Sequence, residues 1–188
     1  MSRTVNLTTP LTAEKVKDLR AGDQVLLTGT LYTARDAAHK RLVDTLDRGE
    51  ALPFDPTDSI IYYVGPSPTP PGKVIGSAGP TTSYRMDPYA VRMMEAGVRG
   101  MIGKGYRAPE VREAMQKLGA VYMIAVGGAA ALNARAIVAN ETIAYPELGP
   151  EAVRKLEVKE MPLIVVNDAF GGDLYATGQS QYRRVGWR

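Results

Sequence analysis

Apolar positions along the chain switch between short continuous runs and helical spacing, and that order predicts the elements. Gln24-Val25-Leu26-Leu27-Thr28-Gly29-Thr30 is the kind of run that a buried strand presents. Thr33-Ala34-Arg35-Asp36 then reads as a helix start, with Thr33 as N-cap and Asp36 three positions on, the spacing of a capping box. Ala38, Leu42, Val43 and Leu46 give this helix an apolar face, and Gly49 follows its end. A loop holding Pro53 and Pro56 leads to a second apolar strand, Ile60-Ile61-Tyr62-Tyr63-Val64. After the turn-rich stretch Pro66 to Gly72, a strand through Val74 and Ile75 runs into the polar block Gly79 to Arg85. Asp87 followed by Pro88 predicts a capped helix through Met94, stopped by Gly97.

The second half continues the alternation. Gly100-Met101-Ile102-Gly103-Lys104-Gly105 is a short strand ending in a glycine turn. Pro109 opens a helix whose Val111, Ala114, Met115 and Leu118 share one face before Gly119. Val121 to Val126 is an apolar strand, and Gly127-Gly128 opens a small-residue segment, Ala129 to Ala136. Further strands fit Ile137–Ala144, Val153–Val158 and Leu163–Asp168. Strand–helix alternation in the middle argues for an α/β fold, and the strand-rich ends for a second, partly antiparallel sheet. We read residues 1–188 as one domain, with a short basic–aromatic tail at about 179–188.

Composition narrows the function. The formal charge is only +3 and the basic residues are scattered, so nucleic-acid binding is disfavoured. The tail Tyr182-Arg183-Arg184-Val185-Gly186-Trp187-Arg188 is the exception, and it reads either as a base-stacking segment or as a tail that docks on a partner. No apolar run approaches the roughly 20 residues that span a bilayer, and the N-terminus lacks a secretory h-region, so the expected location is cytoplasmic. The chain has no Cys and a single His, His39. It therefore cannot hold an iron–sulfur cluster or a Cys-type zinc site by itself, and it has no thiol nucleophile.

Two polar clusters follow a strand and open a helix, where backbone N–H groups and the helix dipole suit anions. One is Gly29 to His39, with Arg35, Asp36, His39 and Lys40; the other is Gly79 to Asp87, with Thr81, Thr82, Ser83 and Arg85. Gly103-Lys104-Gly105 adds a lysine where the backbone can turn sharply. Each has a plainer reading. Arg35 could pair with Asp36, His39 could be a packing residue rather than a base, Thr81 and Thr82 could satisfy turn backbone, and Lys104 could be a solvated turn lysine. Gly103-Lys104 is no P-loop, because Val98 stands where the first glycine belongs and Gly105 replaces the Ser/Thr. Gly127-Gly128 completes no dinucleotide fingerprint, and no Gly-x-Ser-x-Gly elbow is present.

Gly29 to Lys40, Gly79 to Asp87 and Gly103-Lys104-Gly105, in that order and spacing, resemble the C-terminal part of class I fumarases. Nearly the whole chain is similar to the separate β subunit of two-chain members of the class I fumarase and L-tartrate dehydratase family. The resemblance implies a swivelling β/β/α domain of three layers: a parallel sheet, a second antiparallel sheet, and helices. It implies a hydro-lyase β subunit, active only with an α subunit, that hydrates fumarate reversibly to L-malate. L-tartrate or a mesaconate-type substrate is the alternative. It implies a [4Fe–4S] cluster held by cysteines of the α subunit, with one open iron acting as Lewis acid, and no metal in this chain. Residue by residue, Arg35, Thr81, Arg85 and Lys104 become the expected substrate-binding residues. Thr81 (the candidate base), Arg85 and Lys104 are the expected catalytic ones, with Asp36, His39 and Thr82 in support. A non-catalytic dicarboxylate-binding or assembly module is the reading from another class. The expected partners are the α subunit in a hetero-oligomer and the dicarboxylate substrate, with no nucleic acid and no membrane.

Overall fold

The computed structural model describes residues 3–126 and 128–183. Gly127 of the expected glycine pair and the end of the basic–aromatic tail, from Arg184 onward, lie outside them. Among the described residues, seven strands and six α-helices follow one another as β1 (Thr4–Thr8), α1 (Ala13–Asp18), β2 (Gln24–Thr33), α2 (Asp36–Asp47), β3 (Ile60–Tyr62), α3 (Asp87–Glu95), β4 (Gly100–Gly103), α4 (Pro109–Leu118), β5 (Val121–Ile124), α5 (Ala130–Arg135), β6 (Ile137–Ala144), β7 (Val153–Asn167) and α6 (Leu174–Tyr182). Short 3-10 turns at Ser83–Met86 and Pro146–Glu151 precede α3 and β7. Among the described residues no helix is long and apolar enough to cross a membrane.

Strands β1 to β5 pair in parallel, one after the next. The long β7 runs antiparallel to them and hydrogen-bonds to β2, β5 and β6. Because β7 touches both β2 and β5, the strands β2-β3-β4-β5-β7 close on themselves, with β1 and β6 hung outside this ring. The fold is thus the expected mixed α/β, but its parallel and antiparallel strands belong to one hydrogen-bonded sheet.

The strands read as continuous apolar runs because both of their faces are covered. Side chains alternate across a strand: Tyr62, Ile102, Val121 and Met123 join one apolar cluster with Leu27, Leu31 and Leu156. Ile61, Tyr63, Met101 and Tyr122 join a second, with Ala38 and Leu42 of α2, Ala90 of α3 and Met115 of α4. The predicted faces of α2 and α4 are the ones that pack here, except that Leu118 at the end of α4 is exposed.

Several expectations are corrected. Thr33 does not cap α2; it ends β2, paired with Tyr62 of β3 and Arg154 of β7. Its hydroxyl donates to the Ala152 carbonyl and accepts from the Arg154 amide. The N-cap is Arg35, and the cap acceptor comes from afar: Glu151 Oε2 takes the Ala37 amide at 3.0 Å. Asp87 is the first residue of α3 rather than its cap, and its carboxylate is committed elsewhere. Val74 and Ile75 lie in a bend, where only Ile75 finds apolar cover. The two strands expected from Val153 to Asp168 are a single 15-residue strand. β1, α1 and α6 are additional elements.

Candidate functional site

Because β2, β3 and β4 are parallel, their carboxyl ends lie on one edge of the sheet, the usual place for ligands in such folds. Arg35 follows β2, Gly65 follows β3 and Lys104 follows β4. The antiparallel β7 starts at the same edge, which brings the preceding Glu151 there.

Arg35 and Arg85 meet through a line of charges. Asp36 Oδ1 accepts from Arg85 Nε at 2.9 Å, and Asp36 Oδ2 lies 2.9 Å from Arg85 Nη2, an ion-pair approach rather than an aligned hydrogen bond. The same oxygen is 3.9 Å from Arg35 Nη2, which is 3.5 Å from Glu151 Oε1. Arg35 rests against Gly65, where a Cβ would come within 2.7 Å of its Nη1, so only glycine lets the guanidinium lie this close. Its Nε is buried with no acceptor among the described residues.

Thr81, Thr82 and Lys104 meet through backbone. Lys104 N–H donates to the Thr81 carbonyl and Ser83 N–H to the Lys104 carbonyl, so the two polar turns are zipped side by side. A Cβ on Gly103 would stand 2.0 Å from Ser83 Oγ, so this approach also requires glycine. Below it, the Tyr122 hydroxyl donates to the Gly105 carbonyl, and its oxygen therefore accepts from Ser83 Oγ at 2.9 Å. Burial raises the pKa of this phenol and keeps it protonated. Thr81 and Thr82 are half-buried, and the Thr81 hydroxyl has no partner among the described residues. Lys104 is exposed, with no carboxylate within ion-pair distance among them. The 3-10 turn Ser83–Met86 joins this ladder to Arg85.

His39 stands apart. It is buried, donates Nδ1–H to the Arg35 carbonyl at 3.0 Å, and packs against the rings of Tyr63 and Tyr89. A carbonyl only accepts, so Nδ1 carries the proton. Burial holds its pKa down at about 4. It braces Arg35 from within the core.

The set contains no thiol, and among the described residues no three His, Asp or Glu gather as a metal site, so these residues do not fit an iron–sulfur cluster. Arg35, Arg85, Lys104 and the Thr81 hydroxyl share the carboxyl edge with two carboxylates, Asp36 and Glu151.

A family model described as Fumarase C-terminus matches residues 1–178. The chain belongs to this family. Similar proteins include Fumarate hydratase 2 of Leishmania major, 41% identical over 165 residues, 87% of this chain and 29% of that protein. Fumarate hydratase class I, aerobic, of Salmonella typhimurium is 38% identical over 180 residues, 94% of this chain and 31% of that protein. L(+)-tartrate dehydratase subunit beta of Escherichia coli is 39% identical over 181 residues, 94% of this chain and 89% of that protein. The chain thus spans under a third of the fumarate hydratases but nearly all of the tartrate dehydratase subunit.

Within this fumarase C-terminus chain, the structure adds residues that sequence reasoning missed. Glu151 reaches the site from more than a hundred residues away, a contact with no sequence spacing to betray it. Arg107 is fully buried, with Nε 2.6 Å from Asp87 Oδ1 and Nη1 3.3 Å from the Tyr63 hydroxyl. The other Asp87 oxygen takes the Ala108 amide at 2.7 Å, which pins the start of α3 to the loop after Lys104. Burial opposes the Arg107 charge, but the contacts with Tyr63 and Asp87 outweigh it and raise its pKa above the ordinary value.

Proposed function

We propose that this chain is the β part of a two-part hydro-lyase acting on a small dicarboxylate, with reversible hydration of fumarate to L-malate as the leading reaction. The observation that carries the reading is the convergence of Arg35, Arg85, Lys104 and the unpartnered Thr81 hydroxyl on the carboxyl edge of a fumarase C-terminus chain. Fumarate and malate are dianions, and drawing two carboxylates out of water requires fixed cations and donors. Arg35 and Arg85 each offer a planar fork to a carboxylate, while Lys104 supplies a mobile point charge. Removing a proton beside a carboxylate builds negative charge on that carboxylate, and the same cations stabilise this state more than the ground state. Thr81 is the base in this scheme, with the cations around it favouring its alkoxide.

A [4Fe–4S] cluster belongs in this reading to the α partner, whose thiolates would hold it; every role assigned to this chain is independent of it. The three-layer swivelling β/β/α arrangement is likewise our reading, supported by apolar clusters on both faces of the parallel strands. The near-full-length likeness to a tartrate dehydratase subunit favours L-tartrate as the second substrate.

The test is to co-express the chain with an α chain, purify the pair without air, and assay fumarate, L-tartrate and mesaconate. Hydration of fumarate by the pair, and none by this chain alone, is the expected result. Activity of the isolated chain would overturn the two-part reading, and preferential turnover of tartrate would reassign the substrate.

A further inference from the structure

Arg85 carries five N–H donors, and the described residues engage only its Nε edge. Asp36, the first residue of α2, takes that edge side-on, through Oδ1 at 2.9 Å from Nε and Oδ2 at 2.9 Å from Nη2. No described residue accepts from Nη1. The Arg85 side chain is 43% exposed, so the end-on Nη1/Nη2 fork stands open at the site. Asp36 itself is well anchored, since it begins a helix whose first turn is tied to Glu151.

We propose that Asp36 is a positioning residue, which holds Arg85 by its Nε edge and presents the end-on Nη1/Nη2 fork to a substrate carboxylate. The inference rests on the dicarboxylate reading above. A guanidinium on an exposed side chain otherwise samples many rotamers, and fixing it before the substrate arrives removes that ordering from the binding step. The opposite arrangement is that Asp36 merely occupies the place of a substrate carboxylate and is expelled when one binds. The two differ in what happens to the Nε–H bond.

The first experiment follows Arg85 Nε–H by NMR in the full chain labelled with ¹⁵N-arginine. Positioning predicts that added L-malate leaves the Nε–H resonance in place while the Nη resonances move, and that Asp36→Asn displaces the Nε–H resonance without any ligand. Malate shifting the Nε–H resonance to its position in Asp36→Asn would mean expulsion and would overturn the inference. The second experiment uses the pair formed with the α chain. Asp36→Asn should lower kcat/KM for the dicarboxylate by about 10- to 100-fold, the scale of a small misplacement of a reacting partner. For the monoamide of the same substrate it should fall far less, so the preference for two carboxylates shrinks. An equal loss on both substrates, or no loss, would overturn the inference. A wild-type pair with no hydro-lyase activity, but with malate moving only the Nη resonances, would remove the functional reading and leave the positioning role supported.

Discussion

Two arginine–aspartate pairs stand at the ends of one short segment and do opposite work. Arg107 and Asp87 face each other at 2.6 Å with side chains 0% and 9% exposed. Arg85 and Asp36 meet at 2.9 Å with side chains 43% and 29% exposed. Around Arg107 stand the faces of Tyr63 and Tyr122, at 5.4 and 5.1 Å from its Cζ. The other Asp87 oxygen takes the Ala108 amide, so both oxygens of this buried carboxylate are engaged within the fold. Around Arg85 no described residue closes the end-on fork. The same two side chains thus make a rivet where burial surrounds them and a binding element where one edge is left open.

Breaking the rivet should have the largest effect. Arg107→Met leaves Asp87 buried without its cation, and losing one partner of a buried pair typically costs about 3–5 kcal/mol. Chemical denaturation should register that loss. A stability change below 1 kcal/mol, on the scale of exposed pairs, would show that the burial of Arg107 does not matter as argued.

Arg85→Met is the complementary break. It removes a carboxylate partner and no core, so stability should hold while kcat/KM of the pair with the α chain falls by on the order of 2–5 kcal/mol in transition-state binding. Near-normal kcat/KM in a folded Arg85→Met complex would remove Arg85 from the site. A large drop in stability would put it in the same class as Arg107 and dissolve the comparison.

The residues of the open pair were legible in the sequence, though not their pairing, and the rivet was not, for a physical reason. Arg35, Asp36, Thr81, Arg85 and Lys104 lie in glycine-bounded blocks after predicted strands, and local chemistry marks such turns. Arg107 and Asp87 meet across twenty residues only because α3 and the loop after β4 pack together. Asp87 beside Pro88 looked like a cap, and tertiary demand for its carboxylate overrode that local preference. The fold divides in the same way. α2 and α4 were readable from their apolar faces, whereas β7 was read as two strands because Lys159-Glu160-Met161-Pro162 interrupts its apolar run. Glu160 has φ of 50°, and β7 shifts register against β2 opposite Leu27 and Gly29, so the strand continues through an irregularity.

His39 sharpens the comparison at the next level down, because it shares the buried layer with Arg107 but touches the site through the Arg35 carbonyl. Its folded pKa of about 4 lies below the ordinary value of 6.5, because burial outweighs the bond to the Arg35 carbonyl and the Arg107 charge lowers it further. Between those values the unfolded chain holds a proton that the folded chain does not. His39 therefore contributes stability that is fully present above pH 6.5 and lost as pH falls toward 4, on the order of 3 kcal/mol in all. Denaturation at pH 7, 5.5 and 4 should show a shallower acid loss in His39→Phe than in the wild type. Equal slopes would mean that His39 takes up its proton in the folded chain, and that the layer beneath Arg35 is not dry.

The smallest effect belongs to a third pair of the same chemistry. Arg92 Nε lies 2.9 Å from Asp47 Oδ1, joining α3 to α2, with side chains 38% and 60% exposed. Arg92 resembles Arg85 in exposure, and its aspartate partner is likewise on α2, but it sits away from the carboxyl edge. Water and salt screen such a pair, and holding two long side chains in one geometry offsets most of the attraction. Asp47→Asn should therefore lower stability by only about 0.2–1 kcal/mol, a difference that shrinks further when salt is raised toward 1 M. Turnover should not change, because neither residue touches the turns that carry Thr81, Arg85 and Lys104. If Asp47→Asn lowered kcat/KM as much as Arg85→Met, exposure together with an aspartate partner would be enough to explain the Arg85 effect, and its place at the carboxyl edge would carry no weight.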